Sequence, residues 1–181
     1  MLYLFSETAD NFDSSLIKAV ELANAGFAKS IGICGTEAVS GFPGFDWTVG
    51  RLHELGLKEE VPVVRIDVEG SLNTRTEAMA LVAHARTLRG DVGIVTPAFH
   101  LVRTFITTVS IIADAPLYFF AISGIPLPWG ERVAHSQGTL YNTRLGLIDD
   151  ELGRLKKYQA PEFGSIGDAQ KALSYLEWRD S

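Results

Sequence analysis

Short apolar runs alternate with longer stretches of helical period over the first 120 residues of the chain. The runs are mostly continuous rather than alternating, which is typical of strands that are covered on both faces. An alternation of strands and helices is what right-handed βαβ crossovers produce, so we predict a parallel sheet of about five strands. The predicted strands are 2–6, 30–34, 63–66, 92–96 and 117–122.

Helix start and stop signals lie between these runs. Asp13 and Asp46 are the predicted N-caps of the first two helices, and Gly26 and Gly56 suit their C-terminal ends. The segment 74–77, Thr-Arg-Thr-Glu, matches a capping box and predicts the start of the third helix. Each helix carries its apolar residues on one face, so we expect all three to cover the sheet.

The fourth helix, 97–114, is mostly apolar and begins with a proline, for which Thr96 is a candidate cap. A polar stripe nevertheless runs along one side of it. The stripe consists of residues spaced by three or four, namely His100, Arg103, Thr107 and Ser110. A polar stripe on an otherwise apolar helix indicates a function.

The chain beyond residue 123 is predicted to add helices to this core. Residues 124–130 contain two prolines and two glycines and predict a loop. One helix is expected around 141–158, with Leu145, Ile148, Leu152 and Leu155 on its inner face, and another from Asp168. We therefore expect a single domain, 1–181, with an α/β core over 1–122 and a loop plus C-terminal helices packed on it over 123–181.

Composition and charge argue against several classes of protein. Hydrophobic residues make up 46% of the chain and charged residues 21%, as in ordinary globular proteins. The net charge is −6 and no stretch concentrates Lys and Arg, so we expect no nucleic-acid partner. The single cysteine, Cys34, excludes an intrachain disulfide, and the start of the chain resembles neither a signal peptide nor a spanning helix. These features predict a cytoplasmic protein without membrane insertion.

Ligands of open parallel sheets bind at the carboxyl ends of the strands, beside helix N-termini. Thr96, His100 and Arg103 follow the fourth strand at this edge, where backbone N–H groups and a guanidinium could hold a phosphate or carboxylate. The alternative is that His100 bonds a backbone carbonyl and Arg103 pairs with a surface carboxylate. The pattern alone leaves both interpretations open.

The loop after the third strand offers further candidates. Glu69 and Ser71 are expected to point toward the same crevice, and the Glu69 carboxylate could take a proton or orient a sugar hydroxyl. Asn73 and Thr74 lie close by, although the capping box would explain Thr74 and Glu77 without a ligand.

The loop after the second strand is less informative. Gly35 and Thr36 open this segment, which lacks the lysine of a P-loop. The three other histidines have no metal-ligand spacing, so we predict no metal; they are His53, His84 and His135.

Two segments together resemble a known family. Residues 69–74, Glu-Gly-Ser-Leu-Asn-Thr, and 95–103, Val-Thr-Pro-Ala-Phe-His-Leu-Val-Arg, are similar to the two-part motif of the YdcF/SanA/ElyC-like family. Residues 34–36, Cys-Gly-Thr, look like that family's Ser-Gly-Gly. The chain departs from the family at 76–77, where Thr-Glu replaces Glu-Asn, and after the first strand, where 5–7 replaces a Gly-rich turn.

The resemblance, closest to the soluble YdcF type, implies a Rossmann-like three-layer αβα fold. It also implies a site at Asn73, Thr74, His100 and Arg103, since family members are described as binding S-adenosylmethionine or are linked to cell-envelope metabolism. We therefore expect a nucleotide-like or phosphorylated ligand, with His100 and Glu69 as catalytic residues if the protein is an enzyme.

Two alternatives remain open at this point. The altered 76–77 pair and the missing Gly-rich turn would suit a non-catalytic binding or regulatory module. The fourth helix or the loop around Trp129 could instead form a homodimer face.

Overall fold

The computed structural model of the 181-residue chain describes residues 1–88, 90–112, 116–135, 140–160 and 167–181. Its central sheet is formed by β1 (Leu2–Leu4), β2 (Ile31–Cys34), β3 (Val63–Ile66), β4 (Val92–Thr96) and β5 (Phe119–Ser123). The helices are α1 (Ala9–Asn24), α2 (Phe45–Glu54), α3 (Thr74–Ala85), α4 (Ala98–Ile111), α5 (Arg144–Tyr158) and α6 (Ala169–Arg179). A separate antiparallel hairpin joins β6 (Arg132–His135) to β7 (Leu140–Thr143).

The five strands are parallel and lie in the order β3, β2, β1, β4, β5. The chain moves outward from β1 to β3 and then returns past β1 to form β4. The strand order therefore reverses between β1 and β4, and such a reversal is where open α/β sheets bind their ligands. The predicted fold class, a three-layer α/β Rossmann-like fold, is confirmed.

The two faces of the sheet have separate cores. Alternate residues of β1 point to opposite faces, so Leu2 and Leu4 pack on the side of α1 while Tyr3 packs on the side of α3 and α4. The first core includes Leu16 of α1, and the second includes Leu81 of α3. Because both faces are covered, all residues of β1, β2 and β4 are buried, as their continuous apolar sequences predict.

The predicted caps of the first two helices are wrong. α1 begins at Ala9 rather than after Asp13, and α2 begins directly after Gly44, whose φ of 97° suits glycine. The Asp13 carboxylate instead accepts hydrogen bonds from Arg51 Nε at 2.9 Å and Nη2 at 2.6 Å. Asp13 therefore links α1 to α2 and does not serve as an N-cap.

The caps of α3 and α4 also differ from prediction. Asn73, one residue before the predicted cap Thr74, accepts from the N–H groups of Arg75 and Thr76, at 3.0 Å and 3.1 Å. Asparagine caps at least as well as threonine, and this register leaves the Thr74 side chain for tertiary contacts. Thr96 does not cap α4, because it ends β4 and Pro97 lies between it and the helix.

The C-terminal part contains a hairpin that the sequence did not predict. Residues 140–143, mostly assigned to a helix by their pattern, form β7, and α5 begins only at Arg144 with Thr143 as its N-cap. The predicted inner face of α5 is wrong in part, because Leu145 is 62% exposed while Leu147 is buried. The loop over 124–130 and the start of α6 after Asp168 are confirmed.

Within the part of the chain that the structure describes, no helix combines the length and apolar character needed to cross a bilayer.

Candidate functional site

A cavity of about 360 Å³ opens at the carboxyl edge of the sheet, where β1 and β4 meet. The segments after β1, β2, β3 and β4 all contribute to it, together with β6 and the last turns of α5. Its lining residues are Ser6, Glu7, Thr8, Ser40, Phe42, Leu72, Asn73, Thr74, Glu77, His100, Arg103, His135, Arg154, Lys157 and Tyr158.

A buried carboxylate and a buried imidazole form the centre of the lining. Glu7 follows β1 and His100 lies in the first turn of α4, so the switch point brings them together, and a hydrogen bond joins His100 Nδ1 to Glu7 Oε1. Burial would raise the pKa of Glu7, but the two imidazoles of His100 and His135 hold it well below its usual range. Burial lowers the pKa of His100, and neighbouring Arg103 lowers it further. Together these two effects outweigh the carboxylates of Glu7 and Glu151, which raise the same pKa. A neutral His100 then donates Nδ1–H to Glu7 and keeps Nε2 as a hydrogen-bond acceptor.

A hydroxyl lies on the other side of this imidazole. His100 Nε2 is 3.5 Å from Thr74 Oγ1, and Thr74 also accepts a hydrogen bond from Arg103 Nη1. Glu7, His100 and Thr74 therefore form a chain of carboxylate, imidazole and hydroxyl. The three residues of this hydrogen-bonded series follow three different strands, β1, β4 and β3 respectively. For this reason no local sequence motif contains all of them.

A second carboxylate–imidazole pair adjoins the first. His135 Nε2 lies 2.8 Å from Glu151 Oε1, and His135 Nδ1 lies 3.6 Å from Glu7 Oε2. Burial alone would lower the pKa of His135, but its contacts with Glu151 and Glu7 raise it to about 9. Glu151 also accepts a hydrogen bond from Arg103 Nε. His135 and Arg103 thus balance the two buried carboxylates at neutral pH.

A third buried carboxyl group, Glu77, lines the same cavity. It accepts hydrogen bonds from Tyr3 Oη at 3.0 Å, from Ser6 N at 2.9 Å and from Ser6 Oγ at 3.0 Å. Burial raises the pKa of Glu77 to about 7, although these three donors favour its charged form. Glu77 can therefore hold or release a proton near neutral pH.

Cationic side chains of α5 complete the lining. Arg154 and Lys157 lie on the cavity side of the helix, and Arg154 Nη1 is 3.7 Å from Glu151 Oε1. Arg154 retains 25% of its side-chain exposure, so its guanidinium remains accessible from the cavity mouth. This end of the cavity suits an anionic group.

Four residues of the predicted site come together at the cavity, namely Asn73, Thr74, His100 and Arg103. The others lie outside its lining. Glu69 and Ser71 are exposed, Thr96 is buried at the end of β4, and Gly35 packs against Arg65 and Asp67. Thr36 approaches Cys34, with 3.3 Å between hydroxyl and sulfur. Their roles in binding or catalysis stay predictions.

The sequence reasoning missed Glu7, His135 and Glu151 as site residues. Glu7 could have been found, since it follows the first strand at the edge already under consideration. His135 lies on an unpredicted hairpin, and Glu151 lies on a helix whose inner face was assigned to leucines. In the described ranges no group of three or more His, Cys, Asp or Glu side chains is arranged to hold a metal ion.

The fold and the site together define a Rossmann-like α/β protein with a buried acid–base cluster at the switch point of its sheet. Comparisons with family models, with curated proteins and with solved structures gave no match. The resemblance to the YdcF/SanA/ElyC-like family therefore stays a prediction from the two motif segments.

Proposed function

We propose that the protein binds a small anionic molecule, nucleotide-like or phosphorylated, in the switch-point cavity and exchanges a proton with it through His100. The observation that carries this proposal is the buried Glu7–His100 pair in a cavity that also presents Arg154 and Lys157. Oriented imidazoles of this kind act as general bases and acids when the other ring nitrogen faces the reacting group.

The distribution of charge supports an anionic ligand at one end of the cavity. Around the imidazoles, the carboxylates of Glu7 and Glu151 are balanced by Arg103 and His135. Arg154 and Lys157 add positive charge toward the mouth, while the chain as a whole carries −6. A local cationic surface on an acidic protein favours an anion at that place.

The family resemblance adds a separate proposal. If the chain is a YdcF-like protein, S-adenosylmethionine or a phosphorylated intermediate of cell-envelope metabolism is the expected ligand. We also propose a cytoplasmic location, which rests on the single cysteine; Cys34 is buried and unpaired in the structure.

Thermal-shift measurements with inorganic phosphate, AMP and S-adenosylmethionine test the binding proposal. A ligand with a Kd of about 10 µM, present at 1 mM, adds about 2.7 kcal/mol of stability. Lys157→Gln should weaken binding by about 10- to 100-fold, the worth of one charge-assisted contact. Lys156→Gln is the matched control, because Lys156 is exposed on the same helix and does not line the cavity. Equal losses in both variants, or no shift with any anion, would reject the proposal.

A specific observation also favours a non-catalytic binding module. Arg103 is already engaged by Glu151 and Thr74, and His100 by Glu7, so the cluster can hold the fold together without any substrate. Mass spectrometry of the bound ligand before and after long incubation separates the two functions. Conversion that disappears in His100→Ala supports the enzyme, whereas an unchanged ligand supports the module.

The homodimer hypothesis stays a prediction. Trp129 is 44% exposed in the loop after β5. Sedimentation of the wild type and Trp129→Ser would test it, and monomers in both cases would remove it.

A further inference from the structure

We propose that Thr74 is a nucleophile and that the cavity transfers an acyl group from an anionic carboxylic ester to water. This inference rests on the proposed function and names its reaction. The Thr74 hydroxyl is only partly buried, lines the cavity and lies 3.5 Å from His100 Nε2. A hydroxyl becomes nucleophilic when an adjacent base takes its proton and a third group orients that base.

The arrangement supplies each of these parts. Glu7 holds His100 through Nδ1 and so turns Nε2 toward Thr74. Arg103 donates a hydrogen bond to the same Thr74 oxygen, which stabilises negative charge that develops there. The 3.5 Å distance is long for a hydrogen bond, as such contacts often are before a substrate closes the site.

The position of Thr74 at the start of α3 adds one backbone donor. The Asn73 side chain caps the N–H groups of Arg75 and Thr76, and the Thr74 N–H lies outside this cap. The N-terminus of α3 also places positive dipole charge beside the hydroxyl. A carbonyl oxygen that gains negative charge would be stabilised at this end of the helix.

The charges of the lining favour an acyl rather than a phosphoryl group at the reacting centre. At the inner end Arg103 and His135 are already paired with the carboxylates of Glu7 and Glu151, so these ion pairs do not offer a cation to a phosphate dianion. An uncharged ester carbonyl is compatible with them, while a carboxylate or phosphate elsewhere on the substrate can contact Arg154 and Lys157. The substrate class is therefore an ester with an anionic group away from the scissile bond.

The reaction proceeds in two balanced steps. Thr74 Oγ bonds to the carbonyl carbon as its proton moves to His100 Nε2, and the ester C–O bond then breaks while His100 returns that proton to the departing alcohol. Water next attacks the acyl-threonine carbon and gives a proton to His100. The C–Oγ bond breaks, Thr74 recovers the proton, and a carboxylic acid leaves.

Acid-quenched labelling with mono-4-nitrophenyl terephthalate, an activated ester whose free carboxylate is held away from the ester by a rigid ring, tests the inference. Peptide mass spectrometry should locate a 4-carboxybenzoyl group on Thr74 of the wild type. Thr74→Ser should keep the label, Thr74→Val should lose it, and His100→Ala should slow acylation by at least about 100-fold. Thr87→Val is the control, because Thr87 is exposed after the end of α3 and should not affect labelling.

Two measurements separate this inference from the binding proposal. Thr74→Val keeps the Asn73 cap but removes an oxygen that accepts from buried Arg103, so it should fold and melt below the wild-type temperature. Inorganic phosphate should still raise the melting temperature of this variant. A phosphate shift without acyl-Thr74 in the wild type overturns the nucleophile and leaves the binding proposal standing. Absence of a shift with phosphate, AMP and S-adenosylmethionine alike overturns the binding proposal, whereas labelling that persists unchanged in His100→Ala overturns the relay.

Discussion

His100 and His135 are equally buried, yet their pKa values move in opposite directions. Burial disfavours the charged form of both imidazoles. His135 lies between Glu7 and Glu151, whose contacts outweigh burial, whereas Arg103 adds to the effect of burial on His100. At neutral pH the site therefore contains a charged imidazole, His135, and a neutral one, His100. His135 can balance the buried carboxylates as a cation, while His100 can act as a base.

The first prediction concerns stability above neutral pH. The pKa of His135 is raised to about 9, so its stabilising contribution is complete below the unfolded value of 6.5 and is lost as the pH rises through 9. The free energy of unfolding should therefore fall between pH 7 and pH 9, by no more than about 1.4 kcal/mol per pH unit. Urea denaturation at several pH values measures this slope, and His135→Gln should remove most of it.

His53→Gln is the matched control for that experiment. His53 is exposed on α2, so this variant should keep the wild-type slope. A flat wild-type profile between pH 7 and pH 9 would show that His135 does not carry the buried charge.

The second prediction concerns Glu77. Its pKa is raised to about 7, so its contribution is present below the unfolded value of 4.5 and is lost as the pH rises to 7. Glu77→Gln removes the titration and keeps an acceptor for Tyr3 and Ser6. The stability of this variant relative to the wild type should therefore rise between pH 5 and pH 8. Glu60→Gln, at an exposed position, should show a constant difference, and the same constancy in Glu77→Gln would contradict the assignment.

At the level of elements, the sequence predicted the sheet better than it predicted the helix ends. β3 and β4 match their predicted bounds because both are short runs rich in Val and Ile, bounded by Pro62 and Asp67 in one case and by Asp91 and Pro97 in the other. The starts of α1 and α2 were misplaced because Asp13 and Asp46 are good local caps that the tertiary structure does not use. β6 and β7 were missed because strands of four residues are too short for a periodic pattern to be detected.

The third prediction tests the close approach of α1 to the loop after β5. A Cβ atom on Gly124 would overlap Ser14 Oγ and would lie 2.7 Å from Ser14 O. The backbone oxygen cannot move cheaply, since Ile125 N donates to it at 2.9 Å. Gly124→Ala should therefore destabilise the protein by about 1–3 kcal/mol.

Thermal and urea denaturation measure the effect, with Gly153→Ala as the control. Gly153 lies within α5 with nothing within 4 Å of its added Cβ, so alanine should stabilise by about 0.5–1 kcal/mol. A Gly124→Ala variant as stable as the wild type would show that the loop can shift away from α1.

The fourth prediction distinguishes the observed cap of α3 from the one that the sequence indicated. Asn73→Ala removes the acceptor for two backbone N–H groups and should cost about 0.5–2 kcal/mol. Asn73→Ser should recover most of this loss. Urea denaturation at neutral pH provides the measurement. If Asn73→Ala is neutral while Thr74→Ala is costly and Thr74→Ser is neutral, the helix begins in the register that the sequence predicted.

For the molecule as a whole, the site is harder to predict than the fold because its charges meet across long sequence separations. His100 and Arg103 were found because they follow a buried strand on one helix. Their carboxylate partners are 93 and 48 residues away, and nothing local to Glu7 or Glu151 indicates the pairing. Glu69 was the expected carboxylate because its loop follows the third strand toward the crevice, yet it is exposed and outside the lining.

The buried charges also connect the C-terminal part of the chain to the core, since Glu151 of α5 accepts from Arg103 of α4. Removing one member of a buried pair leaves an uncompensated charge, which typically costs about 3–5 kcal/mol. Removing both leaves Glu7 balanced by His135, so the core remains neutral. Arg103→Met and Glu151→Met should each destabilise strongly, while the double variant should lose much less than their sum.

A double-mutant cycle measured by urea denaturation at pH 7 therefore gives the fifth prediction, a coupling energy above about 2 kcal/mol. The pair Arg51 and Asp13 is the control, because its side chains are 33% and 36% exposed and solvent-exposed ion pairs couple weakly. A coupling between Arg103 and Glu151 no larger than that of the control would mean that water reaches the cluster. The charges around His100 would then be screened, and the base that the proposed chemistry requires would not be held neutral.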